Sequence, residues 1–498
     1  MDYYYCAGSD WASVIEDSLI GFTGSGVVTS NTLVKKVSGN ELSGLIGSGC
    51  NRVVIGLGRT GLSCARYLYG QDLPFKIIDT REKPPGETDC RQLFPDVPLH
   101  TGSFNEQWLM AADELIVSPG IALTEPAIAR AIENGATAVG DIELFCRAVN
   151  ALLPQKPLVA ITGTNGKSTV TTLLGKMVRY SGLNPGVGGN IGTPALDLLD
   201  DDNIDVYVLE LSSFQLETTY NLRATAATVL NLSPDHMDRY PTLAEYHQAK
   251  QRIYKGCGTA VFNKDDPLTS PLLPVTVGAV TFTYRAPDLG QLGLLSDDDG
   301  IWLSKGLEKL VNIRHVRLKG MHNYLNALAA LALGEAIGLD SNAMFEALVA
   351  FSGLKHRCQW LGKHDGVAWF NDSKATNVGA SIAAIEGLGE CLDGDIILIA
   401  GGDGKGADFS GLRPAVERFV RHLVLIGRDG SAIEMAVRDS AEIHKSSSLD
   451  DAVSLAADLA GKGDAVLLAP ACASFDMFNS FEHRGDRFIE LVNGLVSC

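Results

Sequence analysis

The stretch AITGTNGKSTVTTLL, Ala160–Leu174, decides how the rest of the chain is read. An apolar run stops at a Gly-Thr-Asn-Gly turn, and Lys167 and Ser168 then open a Thr-rich segment of helical character. The common phosphate-binding loop reads G-x-x-x-x-G-K-[ST]. Here Ile161 stands where that pattern has its first glycine, leaving the shortened loop Gly163-Thr164-Asn165-Gly166-Lys167-Ser168. Small residues let backbone N–H groups approach phosphate oxygens, and the following helix offers its positive end. Lys167 would neutralise β- and γ-phosphate charge, and Ser168 could hold Mg²⁺ through its hydroxyl. The plainer reading is a glycine turn that starts a helix. A strand before and a helix after favour a nucleotide site.

Working outward, order begins at NRVVIGLGRTGLSCARYL, where the strand Val53–Ile55 runs into Gly56-x-Gly58-x-x-Gly61 and a helix. FKIID ends a second strand at Asp79, and ELIVSPG supplies a third that ends near Gly120. Strands alternating with helical patterns predict a parallel, doubly wound sheet. With Asp79 one strand on, the glycines fit a dinucleotide site, but they serve tight strand–helix packing or another nucleotide equally well. Beyond the central loop come VYVLELSSFQL, AATVLNLSPDHMDRY and AVFNKDD, each an apolar run stopping at polar residues. Residues 275–320 alternate in hydropathy with Gly-rich turns, which suggests an antiparallel patch, and HNYLNALAALALGEAIGL reads as a buried helix. From 354, GVAWFNDSK, DIILIAGGDGKG, HLVLIGRDG and DAVLLAPACAS form a third α/β pattern. Ligands in such sheets bind beyond the carboxyl ends of strands, which marks Asp372, Ser373, Lys374, Asp403, Lys405, Arg428 and Ser474.

The expected division is therefore an extension over 1–50 and three α/β units, 51–149, 150–353 and 354–498. A length of 498 residues suits about three domains at roughly 150 residues each. A formal charge of −18 argues against wrapping nucleic acid. Ten cysteines without a C-x-x-C pair point neither to structural zinc nor to a disulfide framework. No apolar run approaches the ~20 residues of a membrane span, and the N-terminus lacks the features of a signal peptide. A cytoplasmic protein without membrane insertion is expected. Glu210 at a strand end suits a Mg²⁺ carboxylate, and Asp235, His236 and Asp238 share one turn that could hold metal or cap a helix. Lys250 has nothing in its spacing to single it out. An ATP-driven ligase uses all three units. A nicotinamide-dependent oxidoreductase built on GxGxxG, the competing reading, leaves Gly163–Ser168 unexplained.

GLGRTGLS, SPGIAL, GDIELF, GTNGKSTVTTL, GGNIGTPAL, LELSSFQLE, DHMDRY, HNYLNALAA, HRCQW, NDSKATN, GGDGKGADF and PACASFDMF follow one another in that order. In this the chain resembles the ATP-dependent Mur ligases of bacterial peptidoglycan synthesis from about residue 51 to its end. NDSKATN and GGDGKGADF resemble the branch that adds D-glutamate. The resemblance implies an N-terminal Rossmann-like domain, a central P-loop ATPase-like parallel sheet with a small antiparallel patch, and a C-terminal Rossmann-like domain. It implies ATP and two Mg²⁺ ions as cofactors, UDP-MurNAc-L-Ala and D-glutamate as substrates, and a monomer. It assigns the ATP loop to Gly163, Thr164, Asn165, Gly166, Lys167, Ser168 and Thr169, with Asn323, Arg357 and Asp372 as further nucleotide contacts. Glu210 and His236 would hold the two metals, and Lys250 matches a lysine that is carbamylated to a metal-holding anion. Asp79, Thr80, Arg81, Gly120 and Asn190 match the UDP-sugar site. Lys374, Thr376, Lys405, Ser474 and Phe481 match the D-glutamate pocket.

Overall fold

The computed structural model describes residues 49–495 apart from 153, 238, 273–277, 319, 391 and 393, so Asp238 and nearly all of the expected extension lie outside the described residues. Three sheets follow one another along the chain. The first is built from β1 Arg52–Ile55, β2 Phe75–Asp79, β3 Leu99–Thr101, β4 Glu114–Val117 and β5 Thr137–Val139, in the order β3-β2-β1-β4-β5. Every pairing is parallel. The order reverses between β1 and β4, which opens a crevice beyond their carboxyl ends. Gly56 lies at φ +94°, and a Cβ on Gly61 would collide with the Gly56 carbonyl, so the helix Arg59–Gly70 can approach only without one.

The second sheet contains β6 Leu158–Thr162, β7 Pro185–Gly189, β8 Val206–Glu210, β9 Ala226–Val229, β10 Thr259–Asn263, β11 Gly278–Phe282, β12 Leu292–Asp297, β13 Gly300–Lys305 and β14 Glu308–Asn312. Its order is β14-β13-β12-β11-β10-β9-β6-β8-β7. The antiparallel patch expected from 275–320 is β12–β14, and it continues the parallel sheet through β11 instead of standing apart. β6 is central, flanked by β8 and β9, so the loops after these three strands open side by side. The helix Met321–Ala336 is buried on most faces and packs against the helix Lys167–Tyr180.

The third sheet has β15 Gln359–His364, β16 Val367–Asn371, β17 Ile396–Gly401, β18 Val420–Ile426, β19 Glu442–Lys445 and β20 Ala465–Leu468, in the order β15-β16-β20-β17-β18-β19. Only β15 is antiparallel. Because β20 returns between β16 and β17, the loops after Asn371, Gly401 and Leu468 meet at one edge. Among the described residues seven cysteines are free and five of these are buried, in keeping with a role as small core residues. No helix among the described residues is long and apolar enough to cross a membrane.

Candidate active site

The loop after β6 is shaped by two glycines at positive φ, Gly163 at +151° and Gly166 at +80°. A Cβ on Gly166 would run into Asn326 Oδ1 from the buried helix. The loop is pinned to the segment following β9. Thr164 N–H donates to the Asn231 carbonyl (3.0 Å), Asn165 N–H to Asn231 Oδ1 (2.9 Å), and Asn231 Nδ2 back to the Asn165 carbonyl (3.0 Å). Thr164 Oγ1 donates to the Ser233 carbonyl at 3.1 Å. The loop backbone is thus set by its neighbours, as a phosphate cradle requires.

Two lysines converge on one carbonyl. Lys167 Nζ donates to the carbonyls of Gly163 and Thr164, both at 2.8 Å. Lys250, on the helix Leu243–Gln251 and 1% exposed, donates to the same Gly163 carbonyl at 2.9 Å and lies over the Tyr246 ring. Loss of water around it pushes the Lys250 amine well below the ordinary lysine range, and the neighbouring Lys167 adds to the effect. Lys167 is lowered as well, first by its own withdrawal from water.

Glu210 ends β8 and is 3% exposed. Its Oε1 accepts from Asn190 Nδ2 at 2.7 Å, while Oε2 is buried without a hydrogen-bond partner. A buried carboxylate oxygen left in that state is costly, and its hard oxygen suits a divalent cation such as Mg²⁺. His236 sits at φ +57° with its ring edge-on to Phe214. Burial lowers its pKa, so at neutral pH the ring offers a lone pair. Asp235, beside it, accepts from Asn377 Nδ2 of the third unit at 3.1 Å.

Across the cleft Arg357 Nη2 donates to Ser168 Oγ at 2.7 Å. Between the second and third sheets lies a cavity of about 320 Å³, lined among others by Asn165, Thr169, Asn323, Asn326, Arg357 and Asp372. Withdrawal from water pushes Asp372 up to about 7, against the attraction of Arg357. The same loss of water, followed by the Arg357 charge, lowers Lys374 to about 8, and its ammonium stands over the Phe481 ring. Thr376 N–H donates to the Lys374 carbonyl, tightening this loop. Ser474 is buried after β20, and Lys405 is exposed after β17 at φ +50°.

In the first sheet, Asp79 Oδ2 accepts from Leu57 N–H and Arg81 Nη2, both at 2.6 Å, and Oδ1 from Arg81 N–H and Nε, both at 2.9 Å. Burial raises its pKa, but these bonds outweigh that and hold it below the usual carboxylate range. All four of its acceptor positions are filled, so none remains for the ribose hydroxyl that a nicotinamide site would present. The oxidoreductase reading fails there. Thr80, Arg81 and Gly120 are exposed at the strand ends. Asn190 instead reaches the second sheet's machinery, bonding the Glu210 backbone and side chain.

Three residues were missed by sequence reasoning. Asn231 had a usable signal, a polar residue directly beyond a buried strand. Asn326 stands three positions after Asn323 on one helix face, a spacing that shares a target. Arg484 carried none: it is 1% exposed and donates to Ser373 Oγ (2.9 Å), Ser373 O (2.7 Å) and Cys472 O (3.2 Å), tying together the loops of Lys374 and Ser474.

Residues 50–140 match the family described as Mur ligase MurD-like, N-terminal domain; 161–334 match the Mur ligase middle domain; 356–472 match the Mur ligase, glutamate ligase domain. A UDP-N-acetylmuramoylalanine–D-glutamate ligase of Pseudomonas aeruginosa is 52% identical over 452 residues, covering 91% of this chain and 100% of the relative. One from Legionella pneumophila is 48% identical over 446 residues, covering 89% and 99%. Among solved structures, the UDP-N-acetylmuramate-alanine ligase MurC of Thermotoga maritima has a TM-score of 0.56 at 18% identity, covering 89% of this chain and 99% of that one. MurF of Thermotoga maritima, solved with ADP, has a TM-score of 0.54 at 18% identity, covering 74% and 91%. These two share its fold. With three successive domain matches and relatives aligned over their whole length, the chain belongs to the Mur ligase family.

Proposed function

We propose that this chain is an ATP-dependent ligase that forms the amide bond between UDP-N-acetylmuramoyl-L-alanine and D-glutamate, in the cytoplasm where both nucleotides are at hand. The observation that carries the reading is the cleft in which Arg357, from the third unit, bonds Ser168 of the phosphate loop. Asn165, Gly166 and Thr169 line one cavity with Arg357 and Lys374, which supports a shared space for a triphosphate and an amino acid. The substrate identities follow the relatives' names.

A carboxylate is a poor acylating agent. Transfer of the ATP γ-phosphoryl group to the alanyl carboxylate gives an acyl phosphate and ADP. The D-glutamate amine then attacks the carbonyl, phosphate leaves with the C–O electron pair, and the nitrogen gives up a proton to it as the amide forms. Lys167 steadies the transferring group once it turns from the Gly163 and Thr164 carbonyls towards phosphate. Asn323, Arg357 and Asp372 position the nucleotide. Arg81, Thr80 and Gly120 hold the UDP end at the β1/β4 crevice. Lys374 and Lys405 suit the two carboxylates of D-glutamate, with Ser474, Thr376 and Phe481 completing that wall. Glu210 Oε2 and His236 would hold Mg²⁺, and two such ions would offset the repulsion between carboxylate and triphosphate. Lys250 fits the carbamate reading. Its depressed pKa favours the neutral amine, whose nitrogen attacks CO₂: a C–N bond forms, one C=O bond becomes a carboxylate C–O⁻, and the nitrogen gives up a proton to water, leaving an anion near Glu210.

The test is phosphate release from ATP and UDP-MurNAc-L-Ala with Mg²⁺, comparing D-glutamate with L-glutamate, L-alanine and D-alanine. Release that depends on D-glutamate supports the reading. Release driven by another amino acid keeps the ligase and moves the specificity.

A further inference from the structure

Away from the cleft, β18 and β19 bring together three side chains whose donor atoms belong to metal chemistry. In their parallel register His422 lies opposite Glu442, and Val424 opposite His444. The two-residue period of a strand puts Glu442 and His444 on one face of β19, and His422 meets them from β18. His422 Nδ1 is 3.3 Å from His444 Nε2 and 3.3 Å from Glu442 Oε2. The three donor atoms all lie within 4.8 Å of one another.

These separations can be compared with what an ion would impose. With metal–ligand bonds of about 2.0–2.1 Å, two donors on a tetrahedral ion stand roughly 3.3–3.4 Å apart. Two of the three edges already have that length. The third is closed by rotating the Glu442 carboxylate, whose side chain is 71% exposed and free to turn. His422 is 7% exposed, so one ligand is held rigidly while the other two adapt. The plainer alternative is a surface hydrogen-bonded trio in which protons lie between the nitrogens and the carboxylate. That arrangement uses the same lone pairs, and an ion would displace those protons.

We propose that His422, Glu442 and His444 form a Zn²⁺ site with a fourth position open to water, cross-linking the edge strand β19 to β18. Two imidazoles and one carboxylate are a zinc donor set, whereas Mg²⁺ prefers oxygen. The site is separate from catalysis. His422 lies four residues before the end of β18, about 13 Å from the strand end that faces the cleft.

The test is Zn²⁺ titration of the full chain against a chromophoric chelator, with millimolar Mg²⁺ present to occupy the catalytic carboxylates. The intact chain should take up one Zn²⁺ more than the His444→Ala variant. Glu442→Gln, an exposed change that leaves the strand intact, should weaken that uptake at least about tenfold, since even outer-shell losses cost ~10–100-fold. Co²⁺ should give the intense visible bands of a tetrahedral site in the intact chain alone. Ligase activity in Mg²⁺ without Zn²⁺ should be unchanged in both variants, which also certifies their folding. Equal Zn²⁺ uptake by all three proteins, or none by any, would overturn the proposal.

Discussion

Replacing Lys250 by methionine separates the chemistry of this side chain from its packing. The lysine is 1% exposed, its Nζ lies over the Tyr246 ring, and it donates to the Gly163 carbonyl at 2.9 Å and to the Thr162 hydroxyl at 3.4 Å. Methionine keeps an unbranched stem of similar volume. The Gly163 carbonyl stays partnered, because Lys167 also donates to it at 2.8 Å. The substitution therefore removes two hydrogen bonds, the longer of them to the buried Thr162 hydroxyl, together worth about 1–3 kcal/mol net. Removing a polar amine held out of water offsets part of that. A melting shift of no more than about 4 °C is expected. Turnover should fall far more. If the carbamate supplies an anion to the metal ligands, its loss should cost at least ~100-fold, or about 2.7 kcal/mol of barrier. Phosphate release measured with and without added bicarbonate reads this directly, and the smaller Lys250→Ala variant should be partly rescued by acetate or formate. A methionine variant retaining more than a tenth of the activity would refute the chemical role. A stability loss large enough to explain the inactivity would refute the separation.

Asp372 titrates near 7 in the folded chain against an ordinary 3.8, so the folded state binds its proton more tightly. That contribution is complete below pH 3.8 and is lost as pH rises through about 7. Urea midpoints at pH 5 and pH 8 should therefore show Asp372→Asn gaining on the parent as pH rises; a constant difference would contradict the shift. Gly166→Ala forces a left-handed alanine, at roughly 1–2 kcal/mol, and drives its Cβ against Asn326. ATP affinity should drop at least about tenfold with UDP-substrate binding intact, and calorimetric titration with each ligand separates the two. Arg484→Met leaves the Ser373 and Cys472 carbonyls without the guanidinium that bridges them, at ~1–3 kcal/mol each. The KM for D-glutamate should rise with UDP-substrate binding unchanged, and Arg484→Lys should not rescue it because a single ammonium lacks the fork.

Strands followed by glycine-bearing turns were legible in the sequence because buried parallel strands read as apolar runs and their ligand loops as abrupt polar stops. β1, β2, β6, β8, β9, β10, β16, β17, β18 and β20 all follow that rule. β3 and β5 have three residues each, too few for a period to show, β19, Glu-Ile-His-Lys, has no apolar run, and β7, Pro-Gly-Val-Gly-Gly, has the composition of a turn. Its pairing with β8 decides its state, and that is a tertiary fact. Among the site residues, Gly163–Ser168 and the strand-end groups Glu210 and Asp372 were visible as local chemistry. Lys250 was not: its burial and its bond to Gly163 depend on how one helix lies across another loop, and only the family resemblance singled it out. Arg484 was invisible for the same reason.

The two seams between the sheets differ in kind, and that difference bears on how the cleft works. Between the first and second sheets the core is continuous: Leu144, Phe145 and Cys146 pack in one cluster with Leu196, Tyr207 and Leu216. Buried polar groups reinforce this seam, with Glu143 accepting from the N–H groups of Tyr220 and Asn221, and Asp141 accepting from Gln215. The clusters of the third unit contain only its own residues, and its contacts with the second include Arg357 to Ser168 and Asn377 to Asp235. Apolar burial is lost on separation at about 25 cal/mol per Å², whereas polar contacts are exchanged for water at small net cost. Opening for substrate entry is therefore expected at the second seam. If Arg357 contacts the nucleotide as proposed, it would couple closure to the presence of ATP, its guanidinium leaving the Ser168 hydroxyl for phosphate.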